Sequence, residues 1–156
     1  MLRWARAACI LARRHPPTQN QSTMQEIRVR TSERSEVVEI TDRIREIVAH
    51  GGVREGIVVL QSLHTTAALT INENADPFVV EDVLVKLDRL IPRDEAFYQH
   101  AEGNSDSHLK SSFFGPSLTV IVSGGAMVLG TWQGIYLCEF DGPRERRIAV
   151  QLISAA

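Results

Sequence analysis

Between Tyr98 and Ser112 the chain sets His100, Glu102, Asn104, Asp106, His108 and Lys110 into eleven residues, followed directly by Ser111 and Ser112. Imidazoles move protons near neutral pH or ligate transition metals, carboxylates hold divalent cations, and an ammonium beside hydroxyls seats an anion. A solvated loop also carries Gly, Asn, Ser and Asp, for turn geometry. Such a loop has no need of two imidazoles, two carboxylates and an ammonium together, so the stretch is read as part of a site.

His64 is the second focus. In an extended chain Ser62, His64, Thr66, Ala68, Thr70 and Asn72 share one face, and Leu63, Ala67, Leu69 and Ile71 share the other. A small polar face bearing a histidine makes a pocket wall; a solvent-facing strand is the alternative. Glu73 and Asn74 lie close in sequence to that face. Glu139 sits between Cys138 and Phe140 in an apolar run, where a buried carboxylate needs a metal, an arginine or an active-site role. Arg144, Arg146 and Arg147 read as a solvated hairpin stem, with Arg144 near enough to the turn to reach an anion.

The elements that must position these residues follow from periodicity. Ile27, Val29 and Thr31 alternate with charged residues as a half-buried strand, and 36–40 reads as a second. Thr41 offers a cap to a short helix stopped at Gly51-Gly52. The run 56–62 is continuously apolar at its middle, hence a central strand. Asp76-Pro77 gives an N-cap and a first-turn proline, and Val80, Val83, Leu84, Leu87, Leu90 and Ile91 form a stripe that predicts a helix packed on the sheet.

Ser105 or Asp106 caps a short helix with Leu109 and Phe113 one turn apart and Gly115 as its stop. His108 and Lys110 then stand near a helix N-terminus, a weak generic anion signal without the glycine spacing of a phosphate loop. Short strands follow at 118–122 and 126–129, with a turn at Ser123-Gly124-Gly125. Asp141-Gly142 predicts a hairpin between 135–140 and 144–153.

With 156 residues, 44% hydrophobic and 23% charged, the chain has the size and composition of one globular domain. A net charge of -2 leaves no footprint for nucleic acid or a membrane surface. No stretch approaches the roughly 20 apolar residues that span a bilayer. Cys9 and Cys138 stand far apart, which indicates neither a disulfide framework nor a zinc motif and points to a reducing, cytoplasmic setting. Residues 1–23 carry Arg3, Arg6, Arg13 and Arg14 with no acid. They read as an over-long start before Met24 or a disordered extension, and, if a real targeting segment, as an organellar address. Residues 24–156 are read as one domain.

Four motifs then match a known pattern: His64 to Pro77, His100 to Ser112, Leu129 to Tyr136, and Glu139 to Arg144. Together they closely resemble the YjbQ family of secondary thiamine-phosphate synthases, from Met24 to the end. The resemblance implies an α+β fold, largely antiparallel sheet with two to three packed helices, assembled as a homotrimer. It also implies a weak thiamine-phosphate synthase activity, with the family's main role left open. Ser107 departs from the pattern, where alanine is expected.

That reaction displaces diphosphate from a pyrimidine methyl diphosphate by the nitrogen of a thiazole phosphate. It calls for a divalent cation or cationic donors on the leaving group and for two flat rings held in line. Lys110, Ser111, Ser112 and Arg144 are the expected phosphate ligands. Glu102, Asp106 or Glu139 are the expected magnesium ligands, and Trp132 or Tyr136 the ring partner. Two other classes stay open: a transition-metal enzyme, with zinc, nickel or iron on His64, His100 and His108 and a carboxylate of Glu102, Asp106 or Glu139, and a non-catalytic trimer that binds a small anion. In each, His64, His100, Glu102, Asn104, Asp106, His108 and Lys110 are expected to meet in one pocket close to a subunit boundary.

Overall fold

The computed structural model describes residues 24–155; the 1–23 segment lies outside the described residues. Strands β1 (Gln25–Arg30) and β2 (Glu36–Glu39) lead into helix α1 (Thr41–His50). Strands β3 (Gly56–Ser62) and β4 (Ala67–Glu73) precede the long helix α2 (Pro77–Leu90) and then α3 (Ser105–Phe114). The chain finishes with β5 (Ser117–Ser123), β6 (Ala126–Met127), β7 (Gln133–Glu139) and β8 (Glu145–Ser154).

The strands form two sheets, in the orders β1-β8-β3-β5-β6 and β2-β7-β4, with every described pairing antiparallel. The fold is α+β, as expected. The apolar run of 56–62 is central, flanked by β8 and β5. Alternation sends Val58 and Leu60, Val120 and Val122, and Ile148, Val150 and Leu152 to the inner face of the larger sheet. They meet Leu69, Ile135 and Leu137 of the smaller sheet, and Ile44 and Val48 of α1 close the core. The outer face of the smaller sheet carries Ala68, Cys138 and Phe140, covered by Leu87 of α2 and Phe114 of α3.

Several expectations are corrected here. Asp141-Gly142 does not close a hairpin: β7 and β8 belong to different sheets, and the link carries the chain across the sandwich. Glycine is required at 142 by close approach, since a Cβ there would stand 2.2 Å from the Glu33 carbonyl oxygen. Thr41 is the first residue of α1 rather than its cap, and its hydroxyl accepts from the Ile135 N–H at 2.8 Å. Asp76 caps α2 as predicted, accepting from Phe78 N–H at 2.9 Å. The α2 stripe is only half covered, however, and no α2 residue is fully buried.

Helix α3 reverses its expected facing. Asp106, Ser107, Lys110 and Ser111 are buried, while Leu109 and Phe113 face outward. The polar side can face inward because each group finds a partner: Ser107 Oγ donates to the Phe140 carbonyl and Ser111 Oγ to the Thr65 carbonyl, both at 2.5 Å.

Candidate functional site

At one end of the sandwich the inward alternation switches from apolar to polar. Glu139 continues the inner face of Ile135 and Leu137, and Arg146 that of Ile148 and Val150. The two therefore meet between the sheets, at 0% and 2% exposure. Arg146 Nε donates to Glu139 Oε2 at 2.6 Å, while Nη2 reaches Glu139 Oε1 and donates to Thr66 Oγ1 at 2.9 Å. Glu139 Oε1 also accepts the N–H groups of Phe140 and Asp141, both at 2.8 Å. Thr31 Oγ1 lies 3.1 Å from Oε2. The buried carboxylate is thus satisfied by an arginine, and both oxygens that a metal would use are taken.

Over this polar layer opens a cleft of about 390 Å³. Its floor is Thr66, Arg146 and Asp141; its walls are His64, Arg144, Asn104 and the pair His100 and His108, with Glu102 at the rim. The rings of His100 and His108 meet edge to face, centroids 5.1 Å apart, and Glu102 Oε2 lies 3.9 Å from His100 Nε2. The volume suits a small molecule.

His64 lies in the turn between β3 and β4, not on a strand as the alternation suggested. Its Nε2 accepts the Arg147 N–H at 2.7 Å. Burial, then the positive charges of Arg146, Arg147 and Arg144 against the opposing Glu139, holds its imidazole below the ordinary range. A neutral ring whose Nε2 is an acceptor carries its proton on Nδ1, so His64 is a donor there rather than a base or a metal ligand through Nε2.

Asp141 organises the opposite wall. Its carboxylate accepts from Asn104 Nδ2 at 3.0 Å, Arg144 Nη2 at 2.7 Å and Arg34 Nη1 at 3.5 Å. Asn104 is the N-cap residue of α3 but makes no side-chain capping bond, its amide being directed to Asp141 instead. That bond fixes the amide orientation and leaves Asn104 Oδ1 buried without a donor among the described residues.

Of the seven residues expected to converge, His64, His100, Glu102, Asn104 and His108 share the cleft; Asp106 and Lys110 do not. Residues two apart on a helix point to different sides, and Lys110 turns away from His108 into a second recess with Arg34 and Asp88. Its Nζ lies 2.6 Å from Asp88 Oδ1 and 3.3 Å from Asp106 Oδ2, and Asp106 Oδ1 accepts from Arg34 Nη2 at 2.9 Å. Lys110 is therefore paired with two carboxylates and does not line the cleft. The Ser111 and Ser112 hydroxyls are bonded to backbone carbonyls of Thr65 and His108.

Trp132 and Tyr136 do not line this cleft within the chain. Trp132 O accepts from Asn74 N–H at 2.9 Å, beyond Glu73 at the far end of β4, roughly 20 Å along the strand from Ala67. The Tyr136 hydroxyl donates to the Glu73 carbonyl at 2.9 Å. Asn74 itself donates to Glu39 at that distant end. Among the described residues no three His, Cys, Asp or Glu side chains are grouped to hold a metal ion. With Glu139 saturated and His64 Nε2 engaged, the expected zinc set does not fit.

Sequence reasoning set aside Arg146 and passed over Asp141 and Arg34 as site residues. The signal for Arg146 was present: it keeps the two-residue period of Ile148, Val150 and Leu152, which points it inward. Among the described residues no helix is long and apolar enough to cross a membrane.

The fold and the cleft define a class: among the described residues, an α+β protein of two facing antiparallel sheets and three helices, with a polar, histidine-lined cleft at one end of the sandwich. The chain belongs to the YjbQ family, whose model, described as UPF0047 protein YjbQ-like, matches residues 25–155. It is 49% identical to the UPF0047 protein MJ1081 of Methanocaldococcus jannaschii, over 80% of this chain and 90% of that one. It is 42% identical to the UPF0047 protein YugU of Bacillus subtilis, over 81% and 96%. A crystal structure of a YjbQ/UPF0047 family protein from Clostridium acetobutylicum superposes with a TM-score of 0.81 at 46% identity, covering 83% of this chain and 99% of that one. A YbjQ-like protein from Sulfolobus solfataricus superposes with a TM-score of 0.82 at 34% identity, over 86% and 99%.

Proposed function

We propose that the cleft binds the diphosphate group of a small organic substrate and carries out transfer of the thiamine-phosphate synthase kind. The observation that supports this reading is that the half-exposed Arg144 and a neutral His64 line one cavity above the buried Arg146–Glu139 pair. Guanidinium groups match phosphate oxygens with paired donors, and fixed donors stabilise charge that develops on a leaving group. The thiazole nitrogen uses its lone pair to form a C–N bond at the pyrimidine methylene. The C–O bond to diphosphate breaks, and diphosphate leaves with that electron pair. His100 and His108 are placed to orient the departing group. The diphosphate ester enters as its magnesium complex, the cation being part of the substrate.

A homotrimer in the cytoplasm is the working form in this reading. The half-covered stripe of α2, with Phe78 and Leu90 exposed, offers apolar surface for contact between copies. Multi-angle light scattering on the full chain tests the assembly, and a monomer at micromolar concentration overturns it. Incubation with the pyrimidine methyl diphosphate and the thiazole phosphate tests the chemistry. Thiamine phosphate should form above a protein-free control, and Arg144→Ala should lower the rate by about a hundredfold or more, the effect of removing one charge-stabilising donor. Formation no faster than the control would overturn the transferase; tight diphosphate binding without turnover would favour the anion-binding trimer.

A further inference from the structure

Arg34 stands in the turn between β1 and β2 and does not line the cleft; its side chain, 31% exposed, lies in the recess that holds Lys110. Its guanidinium nevertheless reaches a carboxylate of each, since Asp106 lines the recess and Asp141 the cleft. Nη2 donates to Asp106 Oδ1 at 2.9 Å and lies 3.4 Å from Ser107 Oγ, while Nη1 lies 3.5 Å from Asp141 Oδ1. The main chain is pinned at the same place, the Arg34 carbonyl accepting the Gly142 N–H at 2.9 Å. Asp106 is 1% exposed and gives the shorter contact, so it fixes the guanidinium, and the planar fork presents its other nitrogen to Asp141. The two oxygens of Asp141 are thus divided: Oδ1 faces Arg34, and Oδ2 accepts from Asn104 Nδ2 and Arg144 Nη2.

We propose that Arg34 is a positioning residue of the cleft: by holding Asp141 Oδ1 from the recess side, it keeps Oδ2 turned to Arg144 and Asn104 and so keeps both in place. The terminal torsion of an aspartate is soft, so a carboxylate with partners on one oxygen only is free to turn, whereas partners on both oxygens fix it. Arg144, its side chain 52% exposed, has water as the alternative to Asp141 and is the group with most to lose. A lysine at 34 would not serve, because one ammonium cannot meet two carboxylates as a planar fork does. The assignment holds whatever the cleft binds; only the diphosphate measurement below rests on the phosphate reading.

Heteronuclear NMR on the full chain tests it through two groups of the wall: the Arg144 Nε–H, which donates to the Asp141 carbonyl at 2.6 Å, and the Asn104 side-chain amide, which donates to the Asp141 carboxylate. In Arg34→Met the Arg144 Nε–H should exchange with water about tenfold faster than in the wild type, and the Asn104 amide signals should shift. Arg34→Lys should restore little of that protection. Asp88→Asn, which frees Lys110 of one partner without touching Arg34, should leave both signals as they are. A merely structural Arg34 would lower the urea midpoint and leave both signals in place, which would overturn the proposal. Full protection in Arg34→Lys would also overturn it, since a single charge would then suffice, and so would equal loosening in Asp88→Asn. Should Arg34→Met fail to fold, Arg34→Lys alone decides by the same signals. Calorimetric titration with inorganic diphosphate is the second measurement: affinity should fall about tenfold in Arg34→Met, although Arg34 lines no part of the cleft. Affinity unchanged within about twofold counts against the positioning role. If diphosphate does not bind the wild type, the phosphate reading falls and the NMR result still decides on Arg34.

Discussion

Arg144 is fastened to Asp141 twice: its Nη2 donates to the Asp141 carboxylate at 2.7 Å and its Nε to the Asp141 backbone carbonyl at 2.6 Å. A half-exposed arginine would otherwise spend its side-chain freedom in water, and the double attachment leaves it aimed over the cleft. Because Asp141 also accepts from Asn104 and Arg34, one carboxylate sets the geometry of a whole wall.

Asp141→Ala should therefore cost about 1–3 kcal/mol of stability, the penalty of leaving donors without their acceptor. Asp141→Asn keeps an oxygen for the Asn104 amide and should cost less. Urea denaturation of both variants checks the order, and equal losses would show that the charge alone matters.

Glu139→Ala should be costlier. It leaves the Arg146 guanidinium, 2% exposed, without its counter-charge, and breaking a buried pair by removing one partner costs about 3–5 kcal/mol. A loss below about 1 kcal/mol in urea denaturation, typical of a surface pair, would contradict the account of this layer.

How far the sequence reveals this arrangement differs from element to element. The start of α2 was legible because Asp76-Pro77 is a local signal, with cap and first turn adjacent in the chain. The central strand β3 was legible because its apolar run is continuous, although only the Val58 and Leu60 face is buried in the core and Ile57 and Val59 on the other face are half-buried. The facing of α3 was not, since Leu109 and Phe113 have the spacing of a buried stripe. The partners that bury the opposite side, Asp88 and the carbonyls of Thr65 and Phe140, come from distant segments. The Asp141-Gly142 pair misled for a related reason: the turn chemistry was read correctly, but which sheet the next strand joins is decided by pairing with β1 and β3.

His64 gives a pH prediction with a definite sign. In the unfolded chain it takes up a proton near the ordinary value of 6.5; in the folded protein, desolvated and ringed by arginines, it does so only at lower pH. Between those two points the unfolded state binds more protons, so stability falls as pH drops from about 6.5 through the folded value and is fully present above it. In His64→Gln, whose side-chain oxygen can still accept the Arg147 N–H, this share of the acid sensitivity should vanish. Unfolding free energies at about pH 7.5 and about pH 5.5 test it, on either side of the imidazole range. The loss on acidification should be smaller in the variant, and identical losses would show that His64 does not contribute.

Lys110 separates structural cations from those of the cleft. It stands two residues after His108 yet is 2% exposed, on the far side of α3, against Asp106 at 1%. Asp88, the closer partner by distance, is 65% exposed and therefore well screened, so the pair with Asp106 dominates the energetics. Lys110→Met should cost about 3–5 kcal/mol, because it strips a buried carboxylate of one of its two cations. Adding Asp106→Asn should recover part of that loss, since the uncompensated charge is then gone, and a double-mutant cycle would read the difference as coupling. Diphosphate affinity, in contrast, should stay within about twofold of wild type in Lys110→Met on the proposed reading of the cleft, because Lys110 lines another recess on the far side of α3 and does not reach the cavity that Arg144 overhangs. A tenfold drop in diphosphate affinity with little loss of stability would invert that assignment and return Lys110 to the phosphate seat that its position in the sequence suggested.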